Sequence, residues 1–424
     1  MTAAPPLALT LGILWGALLP AQVPELPPKP PEQVLAIVGG TVLPAVGPAI
    51  PRGTVIVRGA KIDALGAELP APAGAQVVSA DGKYVTPGLI AVEASGVGVG
   101  STDGNIADSL DPYALSLRIA LSSGITTVNL VDMPFFGFFG SEAGSLSGAN
   151  SAIIKLTHGD LASMLVREPG LNYLSMPGRQ IELNLFRLRE GFRKAEEHLK
   201  AVKDAEARKA EAPRVPREIA HIVTILERKR PTVVAASTDE DVRQILAIEA
   251  RYPFDLVIAQ PTEAYGMARE IAKRRIPVLF KARGADFDFD LGRPILDESG
   301  LIPIRVPAAF SDLGADVTIL PYRRGISTDG LAGRDLGALH LEAAFAVRGG
   351  LDEVRAIAAI TIEPARVLRI ADRVGSLEKG KDADILVWSG HPLDYRAVVE
   401  RAYLNGKLYY DRSTSPLYRP VPLR

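Results

Sequence analysis

The chain has 424 residues, long enough for two domains, and 47% of them are apolar, enough to fill a large core and exclude wholesale disorder. With 48 basic and 49 acidic side chains the formal net charge is -1, which gives no reason to expect nucleic acid or an anionic membrane surface as partner. The absence of cysteine excludes disulfides, thiolate metal sites, iron–sulfur clusters and a cysteine nucleophile.

Residues 7–19, LALTLGILWGALL, form one apolar run, shorter than the roughly 20 residues that span a bilayer. The run fits the h-region of a secretory signal peptide occupying residues 1–22, with Ala21 as the small residue near cleavage. The preceding MTAAPP carries no Lys or Arg, so a plain apolar tail is the competing reading. The expected location is secreted or periplasmic. Residues 23–33 include the proline-dense PELPPKPPE and read as an extended linker. No other apolar run has the length of a membrane span.

From residue 34 the text VLAIVGGTVLPAVGPAIPRGTVIVRGAKIDALG breaks short β-branched runs with Gly and Pro, the pattern of hairpin strands. The same texture returns near the end in ADILVWSG and RAYLNGKLYYDR. Between them come GITTVNLVD, PTVVAAST, DLVIAQP, IPVLF and DVTILP, most of them followed by an amphipathic stretch such as DEDVRQILAIEARY. Repeated strand-then-helix units imply a parallel sheet. Their number over residues 86–364 fits a (β/α)8 TIM-like barrel, for which about 250 residues are typical. A doubly wound open sheet is the alternative, and no GxGxxG after a strand points to a nucleotide. Neither chain end alone has enough strands to hide an apolar face. Residues 34–85 and 365–412 are therefore expected to build one small β-sandwich from both ends, with 413–424 as a tail. Residues 186–230, rich in Arg, Lys, Glu and Ala and broken by Pro213 and Pro216, read as a charged helical insertion with a solvated face.

Four segments, VTPGLI (85–90), SSGITTV (122–128), ITIEPARVL (360–368) and VGSLEKGKDADILVWSGHPL (374–393), occur in an order that resembles the amidohydrolase superfamily, most closely its imidazolonepropionase-like branch. The resemblance implies hydrolysis of carbon–nitrogen bonds other than peptide bonds, with zinc or another divalent metal, in a dimer-forming family. It also implies that strand 1 ends Asp-x-His-x-His directly after Pro-Gly-Leu-Ile. Residues two apart on a strand point the same way, so both imidazoles can grip one ion. Here those positions hold Glu93 and Ser95. The family adds a histidine from each of strands 5 and 6 and an aspartate from strand 8. The corresponding ends here are VVAAST (233–238), IAQP (258–261) with Gln260 as the nearest polar group, and TILPYRR (318–324) with no acid before Asp329. The chain's five histidines are His158, His198, His221, His340 and His391, of which only His158 is expected near a barrel mouth. No metal or other cofactor is therefore expected, and without one nothing lowers the pKa of a water from about 15.7 to about 7. Magnesium or manganese on Glu93, Asp132 and Asp329 is the oxygen-ligand alternative.

The candidate catalytic residues are Glu93, Ser95, Asp132 and Asp329. The candidate binding residues are Gln260 and Phe135, Phe136, Phe138 and Phe139 of DMPFFGFFGSEAGSLSG (132–148), which suits an aromatic lid or ligand platform, or else an apolar loop packed on the insertion or a neighbouring subunit. The expected role is a degenerate family member that binds a small molecule or an intact relative, as a homodimer or hetero-oligomer. The alternative is an active hydrolase of cyclic amides or imides with a metal-free or rebuilt site.

Overall fold

The computed structural model describes residues 33–99, 105–132, 150–175, 181–283, 287–288, 293–294, 303–326 and 335–418. The described chain begins with β1 (Val34–Val42), β2 (Ile50–Arg58), β3 (Lys61–Ala67), β4 (Gln76–Ser79) and β5 (Tyr84–Pro87). The first three form an antiparallel meander, and β4 and β5 pair in parallel with successive halves of β1. Strand β6 (Leu89–Ala94) follows after one residue but joins another sheet. That residue is Gly88, where a Cβ would lie 1.9 Å from Thr126 Oγ1. The Pro-Gly-Leu step is thus a junction at which only glycine fits.

Strand β6 pairs in parallel with β7 (Ile125–Asp132), reached through α1 (Leu115–Ser122). Strands β8 (Asn150–Lys155) and β9 (Leu165–Arg167) complete a four-stranded sheet. A five-stranded parallel sheet contains β10 (Asn172–Ser175), β11 (Thr232–Ala235), β12 (Leu256–Ala259), β13 (Val278–Phe280) and, beyond the small hairpin of β14 (Phe287–Asp288) and β15 (Arg293–Pro294), β16 (Val317–Ile319). Its intervening helices are α2 (Ile181–Ala207), α3 (Ala220–Leu226), α4 (Asp239–Arg251), α5 (Ala268–Lys273) and α6 (Val306–Asp312). Thr238 caps α4 through a reciprocal bond with Asp241, the capping box written in STDED. After α7 (Leu339–Arg348), α8 (Glu353–Ala358) and α9 (Ile362–Val367), the chain returns to the first sheet as β17 (Ile385–Trp388), β18 (Val399–Leu404) and β19 (Lys407–Asp411). Strand β17 pairs antiparallel with β5, so the two chain ends share one hydrogen-bonded sheet. Among the described residues no helix is long and apolar enough to cross a membrane.

Alternate strand residues separate into two apolar layers. Val234, Leu256, Ile258, Val278 and Phe280 pack with helix residues such as Leu117, Phe192, Ile245 and Phe310. Val233, Val257, Ala259 and Leu279 instead gather with Ile90, Val92, Val131, Ile153, Tyr173 and Leu320. Burial on both faces is why these strands read as unbroken apolar runs. Backbone bonds from Ile319 N to Ala359 O and from Ile90 N to Ile360 O, both 2.9 Å, set residues 359–360 between β16 and β6.

The parallel strand-then-helix pattern is interrupted after β7. Strand β8 returns antiparallel, with Asp132 opposite Asn150 and Thr127 opposite Lys155. The intervening sequence, with its proline and clustered Phe and Gly, has no amphipathic helical period, and antiparallel neighbours need no crossover helix. His158, expected near the mouth, follows the end of β8 and so lies at the opposite end of this sheet from Asp132; its ring meets Tyr113 edge-on at 6.0 Å.

His340 on α7 packs 5.6 Å from Trp388, its Nδ1 is buried without a hydrogen bond among the described residues, and burial lowers its pKa to about 4. The unfolded chain, with an ordinary histidine value near 6.5, binds that proton first. Stability therefore falls as pH drops from about 6.5 toward 4, by up to about 2 kcal/mol between pH 7.5 and 5. Urea unfolding at the two pH values measures it; His340→Leu should flatten the slope, and an unchanged slope contradicts the assignment.

Candidate functional site

The site is built on an irregularity of β6. Ala91 faces Val128 and Ala94 faces Leu130, so three steps on β6 match two on β7. This bulge takes Val92 and Glu93 out of the paired register and re-aims the strand end. Asn129 Nδ2, fully buried on β7, donates to the displaced Val92 carbonyl at 3.0 Å and to Tyr173 Oη at 3.0 Å. Gly170 leaves room for this amide, since a Cβ there would lie 2.2 Å from Asn129 Oδ1.

Glu93 is 5% exposed, and its Oε2 accepts from Arg324 Nε at 2.8 Å. Arg324 lies just past β16, and its carbonyl accepts from Ser95 N at 3.0 Å. The end of β6 and the segment after β16 are therefore clamped by both a backbone and a side-chain bond. Burial alone would lower the Arg324 guanidinium, but the adjoining Glu93 carboxylate outweighs it and raises the group. Burial, helped by the Glu93 charge, pushes the Tyr173 phenol well above its ordinary value, so Tyr173 serves as a neutral hydroxyl.

Of the expected site residues, the structure brings Glu93 and Ser95 to this clamp. No hydrogen bond joins Ser95 Oγ to Glu93, and Ser95 Oγ makes none among the described residues, so no described residue supplies the adjacent base a serine nucleophile needs. Gln260 has a left-handed backbone, φ 58°, and its Oε1 accepts from Lys281 N at 3.1 Å. Its amide oxygen thus braces the ends of β12 and β13. Asp132 closes β7, but its side chain, Asp329 and the four phenylalanines Phe135, Phe136, Phe138 and Phe139 lie outside the described residues.

Sequence reasoning missed Asn129, Tyr173 and Arg324. The available signals were a lone Asn inside the β-branched run ITTVNLVD and the paired arginines straight after a strand in TILPYRR. It also missed a second buried pair. Glu342 on α7, fully buried, accepts from Arg283 Nε at 2.9 Å, and the guanidinium stacks over Phe345 at 4.6 Å. Burial raises the Glu342 carboxyl, with Arg283 opposing.

Catalytic zinc usually takes three protein ligands. Here Glu93 is held by a guanidinium, and among the described residues no group of three or more His, Asp or Glu side chains is placed to hold an ion. His198 and His221 lie on α2 and α3, His340 packs on Trp388, and His391 meets Tyr84 edge-on at 5.1 Å. The described donors do not fit a divalent cation.

Comparison with known proteins shows what the chain is similar to. Residues 312–409 match the amidohydrolase family model. The fold is shared with an amidohydrolase from Thermotoga maritima MSB8, at 23% identity and a TM-score of 0.71 over 89% of this chain and 100% of that one. Molinate hydrolase aligns at 17% identity and TM-score 0.56 over 92% of this chain and 97% of that chain. A prolidase complexed with N-methylphosphonate-L-proline aligns at 15% identity and TM-score 0.55 over 89% and 99%. In sequence, the chain is 37% identical over 78 residues to amidohydrolase tasK of Hapsidospora irregularis. That stretch covers 18% of this chain and 8% of that protein, so the chain spans only a small part of this relative's length.

Proposed function

We propose that this is an amidohydrolase-fold protein in which a buried carboxylate–guanidinium pair replaces the metal centre, and that it binds a small molecule or an intact relative instead of hydrolysing through a metal. The observation that carries the reading is the Glu93–Arg324 bond. A positive charge persists between the ends of β6 and β16, but a guanidinium offers no coordination position and cannot generate hydroxide from a bound water. The bonds through residues 359–360 support closure of the strands into a barrel. The 374–393 segment supports the imidazolonepropionase-like branch, and the apolar run at 7–19 supports export. The family's dimers make an intact homologous subunit the preferred protein partner.

Turnover assays on dipeptides, N-acyl amino acids and cyclic imides, with and without chelator and added zinc or manganese, test the reading. The expected result is no metal-dependent hydrolysis. Chelator-sensitive turnover contradicts it, and chelator-resistant turnover of cyclic imides favours a metal-free hydrolase around Glu93, Ser95, Asp132 and Asp329.

A further inference from the structure

A cavity of about 360 Å³ opens at the N-terminal ends of β11, β12 and β13, the end opposite to that of Arg324. Pro231, Asp255 and Pro277, the residues just before those strands, lie in its wall. So do Arg274, Arg275, Arg366, Arg369 and Glu249. Four guanidinia and two carboxylates stand in the wall; with the residues paired to them, Arg228, Glu270 and Glu363, five guanidinia face four carboxylates, one positive charge in excess.

The carboxylates are already engaged. Asp255 bridges Arg228, at 2.7 Å, and Arg369, while Glu249 holds Arg274 at 3.3 Å. Arg366 pairs with Glu363 at 2.5 Å on its own helix. The Arg275 side chain has no ion pair or hydrogen bond among the described residues. Its backbone is left-handed, φ 53°, as is that of Arg369, φ 53°, and of Arg228, φ 56°. Each sits just after a helix, where glycine is the usual occupant. Three arginines held there against backbone preference point to a use for the side chains beyond closing a helix. The positive crowding is also felt nearby. Burial lowers the Arg167 guanidinium, and the charge of Arg369 lowers it further.

We infer that this basal cavity is a binding site for a small, multiply charged oxyanion, a phosphate ester or polycarboxylate, gripped by Arg275 with Arg274, Arg366 and Arg369 around it. Guanidinia bind such groups in bidentate fashion, and the volume is that of a metabolite pocket. The inference stands apart from the Glu93–Arg324 reading.

Calorimetric titration of the full chain with pyrophosphate, and separately with citrate, at low ionic strength tests it. Saturable one-to-one binding of at least one anion, weakening as salt is added, is expected. Arg275→Gly suits the left-handed backbone, so its thermal midpoint should hold or rise while affinity falls roughly tenfold or more. Arg275→Lys should fall between the two. Absence of saturable binding for both anions overturns the inference, as does an Arg275→Gly variant that binds like the parent.

Discussion

Replacing Lys155 with methionine should destabilise the chain by about 3–5 kcal/mol at neutral pH. Lys155 is 2% exposed at the end of β8, and its Nζ lies 2.8 Å from Asp382 Oδ2, 3.0 Å from Asp384 Oδ1 and 2.6 Å from Asn405 Oδ1. These partners flank β17 and β19, so one ammonium ties the sheet of the two chain ends to β8. Asp382 keeps Lys61, at 2.6 Å, and Arg373, at 2.9 Å, when Lys155 is removed. Asp384, 3% exposed, keeps among the described residues only the Asn405 backbone N–H at 2.9 Å, and the penalty falls on it.

The pH dependence follows from the two carboxyls. Burial alone would raise Asp382, but Lys155 and Lys61 overcome it and hold the group down to about 2. Its contribution is complete above the unfolded value near 3.9 and disappears as pH falls toward 2. Burial raises Asp384, against the pull of Lys155, so its ionised form costs stability above the unfolded value. Without Lys155 that cost grows, and protonation relieves it. The Lys155→Met deficit measured by urea unfolding should therefore be smaller at pH 4.5 than at pH 7, and Lys155→Met/Asp384→Asn should recover part of it. A deficit that does not change with pH contradicts the assignment.

Arg324→Met is the second large effect, about 3 kcal/mol, because it strands the buried Glu93 carboxylate without its partner. The value sits at the low end of its range because Arg324 is 31% exposed and water can reach the pair. Glu93→Gln/Arg324→Met should regain most of the loss, since a neutral amide at that position no longer needs a cation. The four-member mutant cycle by urea unfolding measures the coupling. A coupling near zero would mean that the bond contributes little and that Arg324 is not the occupant of the strand-end charge site.

The strands were legible as short apolar or β-branched runs. GITTVNLVD carries β7, DLVIAQP carries β12, and ADILVW carries β17, paired across the chain to β5. The charged stretch after residue 186 is α2, though it begins at Ile181, and α3 follows the proline break. What stayed hidden depended on register and on distant contacts. Regular alternation places Glu93 by counting, but a bulge of one residue sets its true aim, and nothing in LIAVEAS marks that slip. Arg324 lies 231 positions from Glu93, so their pairing appears only once β6 and β16 are brought together. His158 is expected near the mouth but follows a strand that runs antiparallel to β7, which puts it at the other end of the sheet.

Elemental analysis of the full chain, purified without chelator from cells grown with added zinc, manganese and iron, tests the replacement of the metal most directly. The account predicts substoichiometric amounts of every divalent metal, with no gain in thermal stability when zinc is titrated in. Near-stoichiometric metal in the purified protein, released by chelation with a fall in stability, would contradict it.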